Sequence, residues 1–274
     1  MPAKYLDTPP IFSAPVSQAC SQAQFNTPEF RFWCREIREP LRYHRKLWEY
    51  CYLLQVLSHE GMMAPGRRGV GFGVGRETSV AVLAARGVHV TATDLDMESA
   101  QQEWVETGQH AGSLADLNER WICPPDTFEQ LVNFRVQDMN AISPDLNGYD
   151  FAWSLCAFEH LGNIEKGLAF VKNSLNCVKP GGLIVHTSEL NCFSDEETLD
   201  NGPIVLFRRK DFRRLADELA AQGHEVTVNF TLGDDELDRY VDEAPYTARR
   251  HLRLRLGGHV TTSFGIVVRK KAAA

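Results

Sequence analysis

The sequence predicts a doubly wound α/β domain with a mostly parallel sheet, an antiparallel strand at its C-terminal edge and a helical N-terminal extension. Three observations carry this expectation. From residue 67 onward, short strand-like runs alternate with helical periodicities, the pattern that gives parallel pairing through right-handed crossovers. A glycine-rich loop, GVGFGVGRE from Gly69 to Glu77, joins the first strand of that series to the first helix. The last two runs, HEVTVNFTL and VTTSFGIVVRK, are separated by a polar insert, as in an edge hairpin with a long loop.

Each element has its own signal. Residues 1–28 are rich in Pro, Ser, Gln and Thr and read as an extended arm. A helical pattern runs from Phe30 to His59, with Leu47, Tyr50, Leu54 and Leu57 at helical spacing and Arg42, Arg45 and Lys46 on other faces. Residues 1–60 are therefore expected to form an arm and helix that cover the site, and residues 61–274 the main domain, with an insert at about 233–258. Pro65-Gly66 breaks the chain before the strand RRGVG. The helix ETSVAVLAARG stops at Gly87, a favourable residue just past a helix end. Val88, Val90 and Ala92 alternate in the next strand, which ends on Asp94. FRVQD and YDFAWSL are further strands. Ile164, Leu168, Val171, Leu175 and Val178 share one helical stripe that Pro180-Gly181-Gly182 terminates, and GLIVHTSE is the fifth strand. A helix over 211–223 precedes the closing pair.

Composition excludes several classes of function. A chain of 274 residues with net charge −7 is a poor holder of polyanions, since nucleic-acid binding rests on phosphate neutralisation. The runs Arg208-Arg209-Lys210 with Arg213-Arg214, and Arg249-Arg250 with Arg253 and Arg255, read as solvated faces. Seven cysteines form no CxxC pair and no zinc-finger spacing, which points to reduced thiols and a cytoplasmic protein without a structural metal. No apolar run approaches the roughly 20 residues of a membrane span, and no basic start followed by an apolar stretch marks a leader.

The glycine loop excludes two common ligands. A Walker loop needs Gly-Lys-Ser/Thr after its glycines, but Gly75 is followed by Arg76-Glu77. A dinucleotide fingerprint needs Gly-x-Gly-x-x-Gly, and its sixth position falls on Arg76 from Gly71 or on Val74 from Gly69. The spacing Gly71, Gly73, Gly75 resembles motif I of the class I S-adenosylmethionine-dependent methyltransferases, whose fold is Rossmann-like. Asp94 ends the second strand where that family places an acid on the ribose hydroxyls. Asp138-Met139 ends the third, where an acid and an apolar residue flank the adenine. YDFAWSLCAFEHLG and VKPGGLIVHTSE resemble the family's fourth strand, Glu-His helix start and Lys-Pro-Gly-Gly turn. The resemblance thus implies S-adenosylmethionine as cofactor, S-adenosylhomocysteine as product, and Gly71, Phe72, Gly73, Gly75, Asp94, Leu95, Asp138, Met139 and Cys156 as cofactor-binding residues. The chain departs from the family at Gly69, where an acid usually contacts the loop or the cofactor's amino group; Glu77 or a backbone carbonyl is left to replace it.

The chain is also similar to a bacterial subgroup carrying Arg45-Lys46-Leu47-Trp48-Glu49, Glu159 to Gly162, His186 to Glu189, and Thr262 to Gly265. That similarity implies modification of a glycan or secondary metabolite. Methyl transfer to a hydroxyl requires orientation of the acceptor and removal of its proton, so His160 and His186 are the candidate bases, accompanied by Glu159 and Glu189. No bound metal is expected. Trp48, Tyr50 and Tyr52 either cover the acceptor or dock their helix, and Tyr240 and Tyr246 of the insert are candidates for an acceptor pocket that takes a small molecule or glycan. A cofactor-binding partner without turnover is the alternative reading, kept open by Gly69.

Overall fold

The computed structural model describes residues 2–95 and 114–273. Along the chain run β1 (Lys4–Leu6), β2 (Ser17–Ala19), α1 (Gln22–Phe25), α2 (Pro28–Glu36), β3 (Tyr43–His44), α3 (Arg45–His59), β4 (Arg68–Phe72), α4 (Ser79–Ala85) and β5 (His89–Asp94). Beyond residue 113 follow α5 (Pro125–Leu131), β6 (Val132–Val136), β7 (Tyr149–Leu155), α6 (Ile164–Ser174), β8 (Val178–Asn191), α7 (Arg209–Ala221) and β9 (Glu225–Asn229). The chain closes with α8 (Glu236–Arg239), β10 (Val241–Asp242), β11 (Arg250–His251), β12 (Arg253–Leu256) and β13 (His259–Arg269).

The main sheet is ordered β1-β9-β2-β13-β8-β7-β4-β5-β6. The run from β6 to β8 is parallel, so the chain is a mostly parallel, doubly wound α/β protein as its alternating pattern predicts. Strand β13 is antiparallel, but it lies inside the sheet and not at its edge: it pairs with β8 from Thr261↔Asn191 to Arg269↔Leu183. On its other side β13 meets β9 at only two positions, and the N-terminal β2 enters between them. The edge moves outward because β13 is buried almost throughout and must be covered on both sides.

Strand alternation builds two cores. Phe151, Trp153 and Leu155 point to one face with α2, α3 and α4, while Val70, Phe72 and Ala152 point to the other with α6 and α7. The expected single helix over 30–59 is two helices. Arg38 adopts a positive φ of 54°, and Pro40 disfavours helical backbone at Glu39, so the chain turns before α3 restarts. Nor is α3 amphipathic. Leu47 to Glu49 and Cys51 to Leu57 are all buried, because α2 packs on one side and the sheet on the other. Gly265 of β13 makes that contact possible, since a Cβ there would enter the Tyr52 ring.

Candidate functional site

The glycine loop leaves the end of β4 with positive φ at Gly73 (60°) and Gly75 (50°), conformations that favour glycine. A side chain at Gly73 would press on Ala157 Cβ at 2.9 Å and Met139 Sδ at 3.3 Å. Met139 and Ala157 thus stand across the loop as an apolar wall. Asp94 ends β5 and accepts from the backbone N–H of Gly75 (2.8 Å) and of Leu95 (2.8 Å). Phe72 turns its ring into the core against Phe170, so only its backbone borders the loop. Asp138 lies at the exposed end of the β6 segment and accepts from the Asn140 N–H. A backbone that admits close approach, a buried acid across from it and an apolar wall fit a nucleoside joined to an amino-acid tail.

Gly69 cannot carry an acid in this fold. A Cβ there would enter the Phe151 ring and come within 3.1 Å of Trp153, whose ring also lies over Gly71. The indole N–H of Trp153 donates to the Glu77 carboxylate at 2.5 Å. Glu77 is buried, and burial pushes its carboxyl up to about 7, while the Trp153 hydrogen bond and the charge of Lys46 pull the other way.

A second polar cluster gathers at the ends of β7 and β8. Cys156 leaves β7 with a φ of 46°, a conformation uncommon for a residue with a side chain, held by its N–H to the Thr187 carbonyl and hydroxyl. Its thiol donates to Glu49 of α3 at 2.9 Å. Burial, Glu159 and Glu49 push the Cys156 thiol well above its ordinary range, so it is a protonated donor. Burial also opposes the charge on Glu49, but Lys46, Arg45 and the hydrogen bonds from Cys156 and Ser263 outweigh it and hold the carboxyl down. Glu189 is paired with Arg45 and accepts from the Thr261 hydroxyl at 2.8 Å. Glu159 accepts from Ser188 at 2.9 Å, and burial, with Glu189 nearby, raises its carboxyl. Ligand atoms of Cys156, Glu159 and Glu189 lie within 4.8 Å of one another. With Arg45 and Lys46 already supplying positive charge, the cluster is better matched to hydrogen-bond donors than to a cation.

The structure separates the two histidines. His186 is sealed in the core, with Nδ1 at 2.8 Å from the Ser154 hydroxyl and Nε2 at 3.0 Å from that of Ser174. Phe158 and Phe170 pack edge-on to it, and burial lowers its pKa to about 3. It is a neutral core residue and its expected role as a base is corrected. The reason is the strand period: Glu189 and Thr187 face the α3 side, and His186 points into the other layer. His160 sits near the surface with Nδ1 at 2.8 Å from the Pro203 carbonyl. Because a carbonyl only accepts, Nδ1 carries a proton in this contact.

Tyr240 and Tyr246 are exposed, and Tyr246 bonds through its hydroxyl to the Arg255 carbonyl. Trp48 and Tyr52 are core residues of α3 that stack on each other, and their hydrogen bonds go to Gln24 and the Val16 carbonyl. Arg45, Lys46 and Glu49 went unassigned as site residues in the sequence; the signal was charge interrupting an otherwise apolar helix. Also unanticipated is the pair His251–Asp242, 2.6 Å apart in the insert, with His251 stacked on His44. The basic run at 208–214 is largely paired with acids, Arg208 with Asp211, Lys210 with Glu196 and Arg214 with Glu165. No helix among the described residues is long and apolar enough to cross a membrane.

Residues 69–186 match the family model of a methyltransferase domain. No curated protein matches the sequence. Among solved structures, the chain is similar to a proposed sarcosine dimethylglycine methyltransferase from Galdieria sulphuraria, 16% identical with TM-score 0.52 over 83% of this chain and 86% of that one. It is also similar to the methyltransferase domain of bacterial CtHen1-CN, 13% identical with TM-score 0.50 over 82% of this chain and 100% of that one. At such identities the likeness concerns the fold. Residues 69–186 thus match a methyltransferase domain, and the fold of the chain is that of Rossmann-like methyltransferases, with the glycine loop and Asp94 lying within the matched segment.

Proposed function

We propose that the protein methylates a hydroxyl of a sugar, glycan or other small polyhydroxylated molecule, bound at the cluster of Glu49, Glu159 and Glu189. The observation that carries this reading is the set of three buried carboxylates beside the strand ends, of which Glu159 is raised by burial. Carboxylates accept hydrogen bonds from neighbouring hydroxyls, and a carboxyl with a raised pKa is a better base for a hydroxyl proton. When bound, the cofactor supplies the methyl group on an activated sulfonium. The chain's own part is to orient the acceptor and take its proton. Glu159 takes it, with Ser188 fixing the carboxylate and His160 next to it at the rim. Arg45 pairs with Glu189, and Lys46 and Arg45 hold the Glu49 carboxyl down, which leaves both as acceptors for the remaining hydroxyls.

On this reading Gly71, Gly73, Gly75, Asp94, Leu95, Asp138 and Met139 hold the cofactor, Phe72 contributes backbone only, and Cys156 separates cofactor from acceptor. Residues 1–60 act as a cover through α3, and the insert at 233–258 shapes the acceptor pocket. The test is transfer of a radiolabelled methyl group from S-adenosylmethionine to a panel of sugars, phenols and amines. Label in an acid-stable ether on a hydroxyl acceptor supports the reading. Label on nitrogen alone overturns it and reassigns the carboxylates to holding an ammonium.

A further inference from the structure

We propose that Glu77, held by the indole of Trp153, supplies the carboxylate that the strand lacks at Gly69 and binds the α-ammonium group of S-adenosylmethionine. Three features of the chain support a displaced acid. First, the usual position is physically closed. Phe151 and Trp153 from β7 occupy the space a side chain at Gly69 would need, and Trp153 continues over Gly71. An acid lost from that strand cannot be restored without removing the rings. Second, the same tryptophan points its only polar atom at Glu77 Oε1. The Ser79 side chain also acts on the carboxylate as a hydrogen-bond donor, and of the carboxylate's roughly four lone-pair sites two are left for an ammonium, which presents three donors. Third, the neighbouring Thr78 Oγ1 is buried and lacks a hydrogen-bond partner among the described residues, so the turn after the glycine loop holds polar capacity the fold itself does not use.

The surroundings fit a cation. Lys46 and Tyr50 of α3 and Asp94 at the end of β5 are the titratable groups that act electrostatically on or with Glu77. Lys46 is directed mainly to Glu49, with which it pairs at 3.3 Å, so Glu77 has no dedicated basic partner among the described residues. A buried carboxyl without one is raised, to about 7 here. An arriving ammonium restores the missing countercharge, and binding selects the ionised form. The sign follows directly. Below about pH 7 Glu77 is protonated and must release its proton on binding, so affinity falls with falling pH; above it affinity levels off.

The test is calorimetric binding of S-adenosylhomocysteine and of 5′-methylthioadenosine, which lacks the amino-acid tail, to the wild type, Glu77→Gln and Trp153→Phe. Glutamine keeps an amide oxygen for the indole, and phenylalanine keeps most of the ring bulk; thermal unfolding establishes that both variants fold. For Glu77→Gln, S-adenosylhomocysteine affinity should fall by about ten- to a hundredfold through loss of a charge-assisted bond, with 5′-methylthioadenosine unchanged. Wild-type affinity for S-adenosylhomocysteine should rise about tenfold from pH 5.5 to 7.5, and the variant's should stay flat. Trp153→Phe should weaken S-adenosylhomocysteine alone, by less. Equal weakening of both ligands in Glu77→Gln would show that Glu77 only props the loop and would overturn the proposal. So would an unchanged S-adenosylhomocysteine affinity. Persistence of 5′-methylthioadenosine binding separates either result from a failure of the cofactor assignment itself.

Discussion

The two halves of the site are built by different means. On the proposed reading, the cofactor side consists of backbone and a few acids from consecutive strand ends: Gly71 to Gly75, Asp94, and Asp138-Met139. The acceptor side is made of side chains from distant segments. Glu49 of α3 meets Cys156 after β7 and Ser263 of β13, and Arg45 meets Glu189 of β8. A backbone cradle is set by φ at two glycines and tolerates change around it. A cluster of buried charges depends on every partner, because removing one leaves another buried and unpaired. The acceptor side should therefore be the more fragile half under mutation, and the cofactor side the more local.

The sharpest break in that comparison is Glu159→Gln. We expect turnover on the acceptor to fall by about 10²- to 10⁴-fold, the usual worth of a positioned base, while calorimetric affinity for S-adenosylhomocysteine stays as in the wild type. Next is Arg45→Ala, which leaves Glu189 buried and unpaired and should cost about 3 kcal/mol of stability, read by denaturant unfolding. A loss below a few tenths of a kcal/mol would show that the cluster is not held together by its charges.

Asp94→Ala probes the other half. It should weaken S-adenosylhomocysteine binding by about 1–3 kcal/mol, with a smaller loss in denaturant unfolding as the N–H groups of Gly75 and Leu95 lose the carboxylate that accepts from them. The last effect, absent at neutral pH, concerns His186. Its pKa of about 3 in the fold lies below the ordinary histidine value. The unfolded chain thus binds the extra proton first as pH falls. The stabilisation is complete above about pH 6.5 and is lost towards pH 3, with a limiting slope of about 1.4 kcal/mol per pH unit. Replacing His186 with Phe should remove that share of the acid sensitivity while leaving turnover intact. A large loss of turnover with unchanged stability would instead return His186 to the chemistry.

The cofactor side was legible because its determinants are contiguous. Gly-x-Gly-x-Gly spacing, an acid at the next strand end and a Lys-Pro-Gly-Gly turn are each short patterns that can be read without knowing how the strands are ordered in the sheet. The acceptor side was legible only in part. Glu159 and Glu189 stand near strand ends, where the sequence marks them as candidates, whereas Glu49 sits inside an apolar helix pattern and His251 inside a polar insert. His186 and Glu189 share one strand three residues apart, yet opposite faces of the sheet separate a core histidine from a site carboxylate. Strand β13 was found as antiparallel but placed at the edge, because nothing in its own residues reveals that Ser17–Ala19 from the N-terminus pairs on its far side.

By itself the sequence determined the α/β class, the glycine loop and the acid at the next strand end, Asp94, since period, turn chemistry and glycine spacing are local properties of the chain. Only the tertiary structure decided which histidine is buried, which helix brings Arg45 and Glu49 to Cys156, and why Gly69 bears no acid. Those outcomes depend on which rings and charges arrive from elsewhere. Phe151 and Trp153 of the neighbouring strand fill the place of the missing carboxylate, and Trp153 directs its indole to Glu77.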